Sequence, residues 1–505
     1  MNPYQVQVER VLPRLLALYD RNQISPTRGF GDRYRWAWKL IDFGNATFQG
    51  ACHGLARLAV AGLLPEYISE RAAIDRIQEM IDAAARLCDR DGSVGEAFPH
   101  ESSFCVTALV AHDVLAAIEL LGPRLQPAHL NTVEPMIRFL ERTDETHATI
   151  SNHLATAVSA LVRWHALTAS GGLQRAESLL RRLLEAQDAD GWFREYWGAD
   201  PGYQTLTTHY LADAHRLRPE LNLLEPLGRS LQFLCHFAHA DGSFGGLYGS
   251  RNTRFLAPGG IEALAGEIPE AAALSLFARR AIAARSLVTL ETMDEPNLIP
   301  LFNSYCWAAA EERPLEVDLV LPAEGDPFRR VFRSAGLVID RGTAHYTVVS
   351  VHKGGITHHV GGTGTSVDAG VVARAGGRLY TTQSYNSANI WRETPDGIEV
   401  VARLATAPFE LPSPLQFAVL RIATETVLRI ARVRLLAKRL LVRRVITNGD
   451  EVSLANKRTI RFGGTALIKD EWVGDSTGFE RECLLRPFSV LHMASQGYWQ
   501  VGDDA

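Results

Sequence analysis

A chain of 505 residues with 46% hydrophobic and 22% charged residues carries enough apolar material for two or three globular cores, which excludes a disordered or fibrous protein. Its formal net charge of -5 lacks the Lys and Arg excess of a broad nucleic-acid surface, whereas an acidic glycan needs only a local basic pocket. The six cysteines (Cys52, Cys88, Cys105, Cys235, Cys306, Cys483) include no CxxC pair, which argues against a zinc ribbon or a disulfide framework and fits buried thiols in a reducing compartment.

Residues 1–20 form an amphipathic pattern interrupted by Glu9, Arg10 and Arg14, without the apolar core of a secretion signal, so a cytoplasmic location is expected. From there to about Glu312, apolar residues recur at three- and four-residue spacing, helix after helix. An Asp-Gly phrase punctuates them: Asp91-Gly92-Ser93, Asp190-Gly191-Trp192 and Asp241-Gly242-Ser243, spaced 99 and 51 residues apart. A period of about 50 residues is one helical hairpin, and about six would fit. The expected fold is an N-terminal (α/α) toroid over 1–312, an incomplete barrel of helical hairpins; an open solenoid would show the same period.

After Pro314 the pattern changes to period two. Val317-Asp318-Leu319-Val320-Leu321, Tyr346-Thr347-Val348-Val349-Ser350-Val351 and Ile460-Arg461-Phe462 read as strands, with Gly376-Gly377, Asn448-Gly449 and Gly463-Gly464 as turns. A mainly antiparallel β-sandwich over 313–505 is expected. The stretch 414–444 interrupts it as a basic amphipathic helix, with Arg421, Glu425, Arg429, Arg432, Arg439 and Arg443 on one side. Two readings stand: a helix lying on an anionic membrane surface, or one packed on the protein with its arginines in water or on carboxylates.

Four constellations carry chemistry. In Ser151-Asn152-His153-Leu154, Ser151 is a candidate N-cap, placing Asn152 and His153 at a helix start that favours a carboxylate. The run from Gly191 to Tyr203 contains Trp192, Glu195, Tyr196, Trp197 and Asp200 among Pro-Gly and Asp-Gly turns, a composition suited to a sugar platform; Tyr210 follows Tyr203 on the same helical face. Arg251 and Arg254 lie in a glycine-rich loop after the third Asp-Gly turn, where guanidinium groups suit a carboxylate or sulfate. In the β part, His352-Lys353-Gly354-Gly355 and His358-His359 precede Asp368 in a glycine-rich connection suited to proton transfer or metal binding, without a phosphate-binding context.

In this order and layout the four constellations resemble the heparinase II/III-like polysaccharide lyases and the related alginate lyases, over most of the chain. The resemblance implies Asn152 and His153 as neutralisers of a uronate carboxylate, Tyr203 as the acid/base, and His358 or His359 as its partner. It also places residues 361–380 in the β segment that follows this histidine. Its His-x-His-x-x-Asp pattern is not kept here, so no metal ligands are assigned, no cofactor is required, and a structural divalent metal in the β part has no support of its own. Glu96, Trp192, Glu195, Tyr196, Trp197, Tyr210, Arg251 and Arg254 are expected to contact substrate. The function expected is β-elimination on a uronic-acid-containing polysaccharide or oligosaccharide. The alternatives are a uronyl C5-epimerase, a glycoside hydrolase using two of Glu96, Glu101, Glu195 and Asp200, and a non-catalytic glycan-binding or exopolysaccharide-assembly protein.

Overall fold

The computed structural model describes residues 2–96, 98–145, 149–407, 413–430, 432–434, 436–437, 449–482 and 497–499. Six inner helices, α3 (Ala51–Ala61), α5 (Phe104–Leu121), α7 (Ser151–Thr168), α9 (Pro201–Leu217), α11 (Gly259–Leu264) and α13 (Glu295–Glu311), pack each against the next. The ring closes because α13 returns to α3. There Gly54 N–H donates to Asn303 Oδ1 at 3.0 Å, and a Cβ on Gly54 would come within 2.5 Å of the Phe302 ring. Closure decides for a toroid over an open solenoid. Outside the ring lie α1 (Pro3–Leu16), α4 (Glu70–Leu87), α6 (His129–Arg142), α8 (Leu173–Glu185), α10 (Leu224–Cys235) and α12 (Pro269–Ala284); α2 (Arg33–Trp36) is a short turn in the entry loop. Helix α5 is apolar enough in composition to cross a membrane, yet it is mostly buried, as an inner helix covered on all sides must be.

The three Asp-Gly phrases form one recurring turn. In each, the residue two before the Asp closes a pair of backbone bonds: Asp89 N–H to Ser93 O (2.8 Å), Asp188 to Trp192 O (2.9 Å) and His239 to Ser243 O (3.0 Å). The glycines sit at φ 91°, 90° and 85°, and a Cβ there would lie 2.0 Å from Pro135 O, 2.2 Å from Arg229 O and 2.0 Å from Ser286 Oγ. Left-handed backbone and this contact together require glycine. The turns lead from outer to inner helices, so they share the end of the ring where the inner helices begin.

The ring's interior is polar at mid-depth. Asp213 (α9) accepts from Arg163 (α7) at 2.5 Å on both oxygens, from Ser159 at 2.6 Å, and pairs with His112 Nε2 (α5) at 3.1 Å. The other nitrogen of His112 lies 3.0 Å from Asp113 Oδ1, which also meets His53 Nδ1 at 3.0 Å. All are buried.

Strands β1 (Phe328–Phe332), β2 (Leu337–Arg341), β3 (His345–Ser350), β4 (Ile356–Gly361) and β5 (Gly364–Asp368) form an antiparallel meander. A second antiparallel sheet runs β11 (Leu467–Val473), β10 (Glu451–Arg461), β9 (Gly397–Thr406), β7 (Arg378–Thr381), β6 (Val372–Ala375), β12 (Glu480–Glu482), with β8 (Ile390–Thr394) also on β9. The first sheet is sandwiched. One face meets the ring, with Tyr346 Oη donating to His236 O at 2.6 Å, while Val338 and Val349 on the other, with Val351 just after β3, pack with Ile398, Val400 and Ile460 of the second sheet.

Two expectations are corrected here. Residues 317–321 are extended but unpaired: Val317 and Leu319 lean on the ring's core, so the alternation reflects packing on helices without a partner strand. The single long helix is also broken, because α14 (Pro414–Glu425) ends where Thr426 adopts φ -123°, ψ -94°. Thr424 and Thr426 hydroxyls bond back to Leu420 O and Ile422 O, which weakens helix continuation. Arg439, Arg443, Asn448 and Cys483 lie outside the described residues.

Candidate active site

Helices α7 and α9 are adjacent inner helices that begin at the same end of the ring. Asp200 caps α9, its carboxylate accepting from the backbone N–H of Tyr203 (3.1 Å) and Arg251 (2.8 Å) and from the Thr253 hydroxyl. One aspartate therefore starts the helix that carries Tyr203 and anchors the loop that carries Arg251. The intervening loop is pinned by Ser151 Oγ to Arg194 O (2.7 Å) and Ser250 Oγ to Glu195 O (2.9 Å).

These anchors bring five of the expected residues together. Asn152 Nδ2 donates to Glu195 Oε2 at 2.8 Å, and Arg251 Nη1 lies 4.0 Å from Glu195 Oε1. The Arg251 guanidinium stands 3.9 Å over the Tyr196 ring and 5.2 Å from that of Tyr203. Tyr196 holds φ 58°, a left-handed conformation that costs a non-glycine residue about 1 kcal/mol or more and that here places its ring beneath the guanidinium. Burial raises the Glu195 pKa to about 8, against the pull of Arg251 and Asn152, so near neutral pH the carboxyl favours its neutral form. Burial likewise raises the Tyr203 phenol, with Arg251 opposing. The net shift is upward, opposite to the lowering expected from nearby arginines, because desolvation outweighs one guanidinium.

His153, half-buried beside this group, has Nδ1 2.8 Å from Glu145 Oε2. That carboxylate fixes the imidazole and directs Nε2 elsewhere, the orienting arrangement of a carboxylate-backed base. Glu96 lies on the same mouth, its backbone N–H donating to Glu101 at 3.1 Å.

Other expected contacts are placed differently. Trp192 is 4% exposed, its indole N–H donating to Ser334 Oγ in the β1–β2 turn at 3.3 Å, so its faces are covered and the half-buried pair Tyr196 and Trp197 remains as the aromatic platform. Tyr210 is 3% exposed and packs edge-on to His112 and His209 in the ring's interior, two turns below Tyr203. Arg254 stacks on Tyr498. The two adjacent histidines of β4 point oppositely, as successive strand residues must. His358 faces the ring, stacked on His239 with Tyr248 edge-on, whereas His359 faces the sandwich interior, where its nitrogens meet Thr347 Oγ1 (2.8 Å) and Gly464 O (3.3 Å).

The β part reaches the site through Lys353, which the sequence offered only as part of the glycine-rich connection, and through Tyr385, which it did not offer. Lys353 inserts its buried ammonium into the Arg251 loop, donating to Leu247 O, to Gly249 O at 2.9 Å and to Asn252 Oδ1. Burial lowers its pKa to about 7, with Asp200 opposing. Tyr385, bonded to His352 Nδ1 at 3.0 Å, lies so close over Gly198 that a Cβ there would meet its ring at 2.6 Å. Glu145 was also missed. Its only signal was an acidic residue eight positions before a histidine at a helix start.

No protein-family model matches the sequence, and no curated protein matches it. Among solved structures, the fold is similar to cellobiose 2-epimerase from Bacillus thermoamylovorans B4167 at 10% identity and TM-score 0.44, over 61% of this chain and 98% of that one. It is similar to a Paenibacillus xanthan lyase at 12% identity and TM-score 0.46, over 80% of this chain and 44% of the lyase, so this chain spans less than half of that protein. A sugar epimerase from a ruminal bacterium matches at 10% identity and TM-score 0.42, over 62% and 100%. None of these supplies a residue role or a reaction for this chain.

Proposed function

We propose that this protein is a carbohydrate-active enzyme that cleaves a uronic-acid-containing glycan by β-elimination. The observation that carries the reading is the buried group of Asn152, Glu195 and Arg251 beside the Tyr203 ring. In a uronate the C5 proton is α to the carboxylate, and its removal moves negative charge onto the carboxylate oxygens. An amide, a neutral carboxylic acid and a guanidinium aimed at that carboxylate stabilise this charge more than the ground state. His153, backed by Glu145, takes the C5 proton; Tyr203, whose raised pKa keeps the phenol protonated, gives its proton to the departing O4. His153 thus becomes the base in place of a neutraliser, and His358, enclosed by His239 and Tyr248, has no assigned part in the chemistry.

The test is the rise in unsaturated-uronate absorbance when purified protein meets a panel of uronate polymers and oligosaccharides. No rise with any of them would overturn the reading. Two acid/base residues on different helices also suit a C5-epimerase, which would invert C5 without an unsaturated product. A hydrolase using Asp200 is disfavoured because both oxygens of that carboxylate are committed to the α9 cap and the Arg251 loop.

Glu195 gives a pH signature. Its folded pKa is raised above the unfolded value, so its contribution to stability is complete below the unfolded pKa and is lost as pH rises through about 8. Ionisation would also repel a uronate, so kcat/KM should fall through the same range. Glu195→Gln, which cannot ionise, should remove that basic limb; an unchanged limb would remove Glu195 from the binding group.

We also propose that α14 rests on an anionic membrane surface. Leu415, Phe417, Val419 and Ile422 are 74, 58, 58 and 67% exposed, with Arg421 among them on Asp42 (3.5 Å) and Arg429 on Glu425 (2.5 Å) and an exposed Arg432 just beyond the helix, a combination suited to lipid headgroups over an apolar boundary where the headgroups replace those carboxylates. The full chain should sediment with phosphatidylserine-containing vesicles and not with neutral ones, and Phe417→Ser with Ile422→Ser should abolish this. Equal binding to both vesicle types, no binding, or self-association in their place would overturn it.

A further inference from the structure

We infer that His239, Asp241 and His358 form a transition-metal site, suited to Zn²⁺, at the seam between the helical ring and the first sheet. One candidate ligand atom from each lies within 4.8 Å of the other two. Two of the three come from the ring, in the third Asp-Gly turn, and one from β4.

The recurring turn supplies the first independent observation. The residue two before the Asp is Asp89 in the first copy and Asp188 in the second, with the same backbone hydrogen bonds, but it is His239 in the third. The third is also the copy against which His358 of the sheet is seated, its ring stacked on His239 with centroids 4.2 Å apart and planes 23° apart. His358 itself supplies the second observation. It is 6% exposed, and its Nε2 is buried without a hydrogen-bond partner. A buried ring nitrogen left unsatisfied costs about 1–3 kcal/mol unless something fills the place.

The neighbouring hydrogen bonds fit a ligand set. Ser243 Oγ bridges His239 Nδ1 (2.9 Å) and Asp241 Oδ1 (2.7 Å), so an ion held there would displace this hydroxyl and turn the stacked His239 and His358 rings until the lone pairs of both meet it. Tyr248 Oη, 3.0 Å from His239 Nε2, would then hold the far side of that imidazole, and Thr365 Oγ1, donating to Asp241 Oδ2 at 2.6 Å, would hold the carboxylate. Such outer partners orient metal-binding side chains. Two imidazoles and one carboxylate suit Zn²⁺ with water in the fourth position, and they disfavour Ca²⁺ or Mg²⁺, which take oxygen ligands. The ion would clamp ring to sheet, apart from the Asn152–Glu195–Arg251 group, so the inference stands whether or not that group performs elimination.

The test uses the full chain, stripped with chelator and dialysed, then titrated with ZnCl₂ by calorimetry and assayed for bound metal by mass spectrometry. About one equivalent is expected, with a rise in Tm. Asp241→Asn, a half-exposed position, should weaken binding at least ten-fold while leaving the helical circular dichroism unchanged, and His358→Leu should abolish it. If His358→Leu does not fold, Asp241→Asn decides alone. Failure of the stripped chain to bind zinc stoichiometrically, or unchanged affinity in Asp241→Asn, would overturn the proposal.

Discussion

Asp213→Ala is expected to destabilise the chain by about 3–5 kcal/mol, because it removes the buried carboxylate that Arg163 and His112 share, leaving Arg163 to Glu119 and His112 to Asp113. Asp213 is 1% exposed and joins three inner helices: Arg163 and Ser159 from α7, His112 from α5 and its own α9. Its carboxyl is held well below the usual range, with Arg163 and His112 overcoming burial, and His112 is raised by its two aspartates despite burial. The signs give a pH window. The contributions of Asp113 and Asp213 are present above their unfolded pKa values and are lost as pH falls through the lowered folded ones. The contribution of His112 is complete below its unfolded value and is lost as pH rises through the raised one. The network is therefore strongest between roughly pH 4 and 6.5. Thermal unfolding followed by helical circular dichroism should show a fall in Tm of more than roughly 5 °C for Asp213→Ala. A fall within error would mean that the interior charges contribute nothing net.

Tyr203→Phe should reduce turnover by about 10²–10⁴-fold, the range for loss of a general acid. Its effect should be separable from that of His153→Ala. If the phenol only protonates O4, Tyr203→Phe should still exchange the C5 proton with deuterated solvent while releasing no unsaturated product. His153→Ala should lose both exchange and product. Loss of exchange in Tyr203→Phe with exchange retained in His153→Ala would reverse the two roles, and full activity in both would remove the site from the chemistry. Tyr203 is half-buried and its hydroxyl makes no protein hydrogen bond that the fold depends on among those described, so the phenylalanine variant should fold normally.

Much of this arrangement was legible in the residues. Helical spacing up to Glu312 and the three Asp-Gly phrases marked hairpins, because glycine at φ near 90° with another backbone or side-chain atom about 2 Å from its missing Cβ admits no substitute. Asn152, Glu195, Tyr196, Tyr203 and Arg251 stood out through helix-start chemistry and loop composition, and the fold gathers them. Other features were hidden for physical reasons. Spacing of seven put Tyr203 and Tyr210 on one face but said nothing of depth, which makes one a mouth residue and the other core. Alternation required His358 and His359 to oppose each other without saying which side the ring would occupy. Asp213, His112 and Arg163 pair across 50 to 101 positions of sequence, so each looked like a stray charge in an apolar helix. Residues 317–321 alternated like a strand because half of them lean on helices.

The meeting of α13 with α3 also bears on how the protein is made. Synthesis delivers α3 early, but the helix that covers its open side is complete only at Glu311, about 250 residues later, which at ~5–20 residues per second is roughly 12–50 s. Throughout that interval the face of α3 that α13 covers, with Gly54 against Phe302 and Arg57 over Trp307 in the finished ring, lacks its final neighbour. Closure of the ring therefore waits on the last inner helix, and until it emerges the uncovered face of α3 is open to association with other chains.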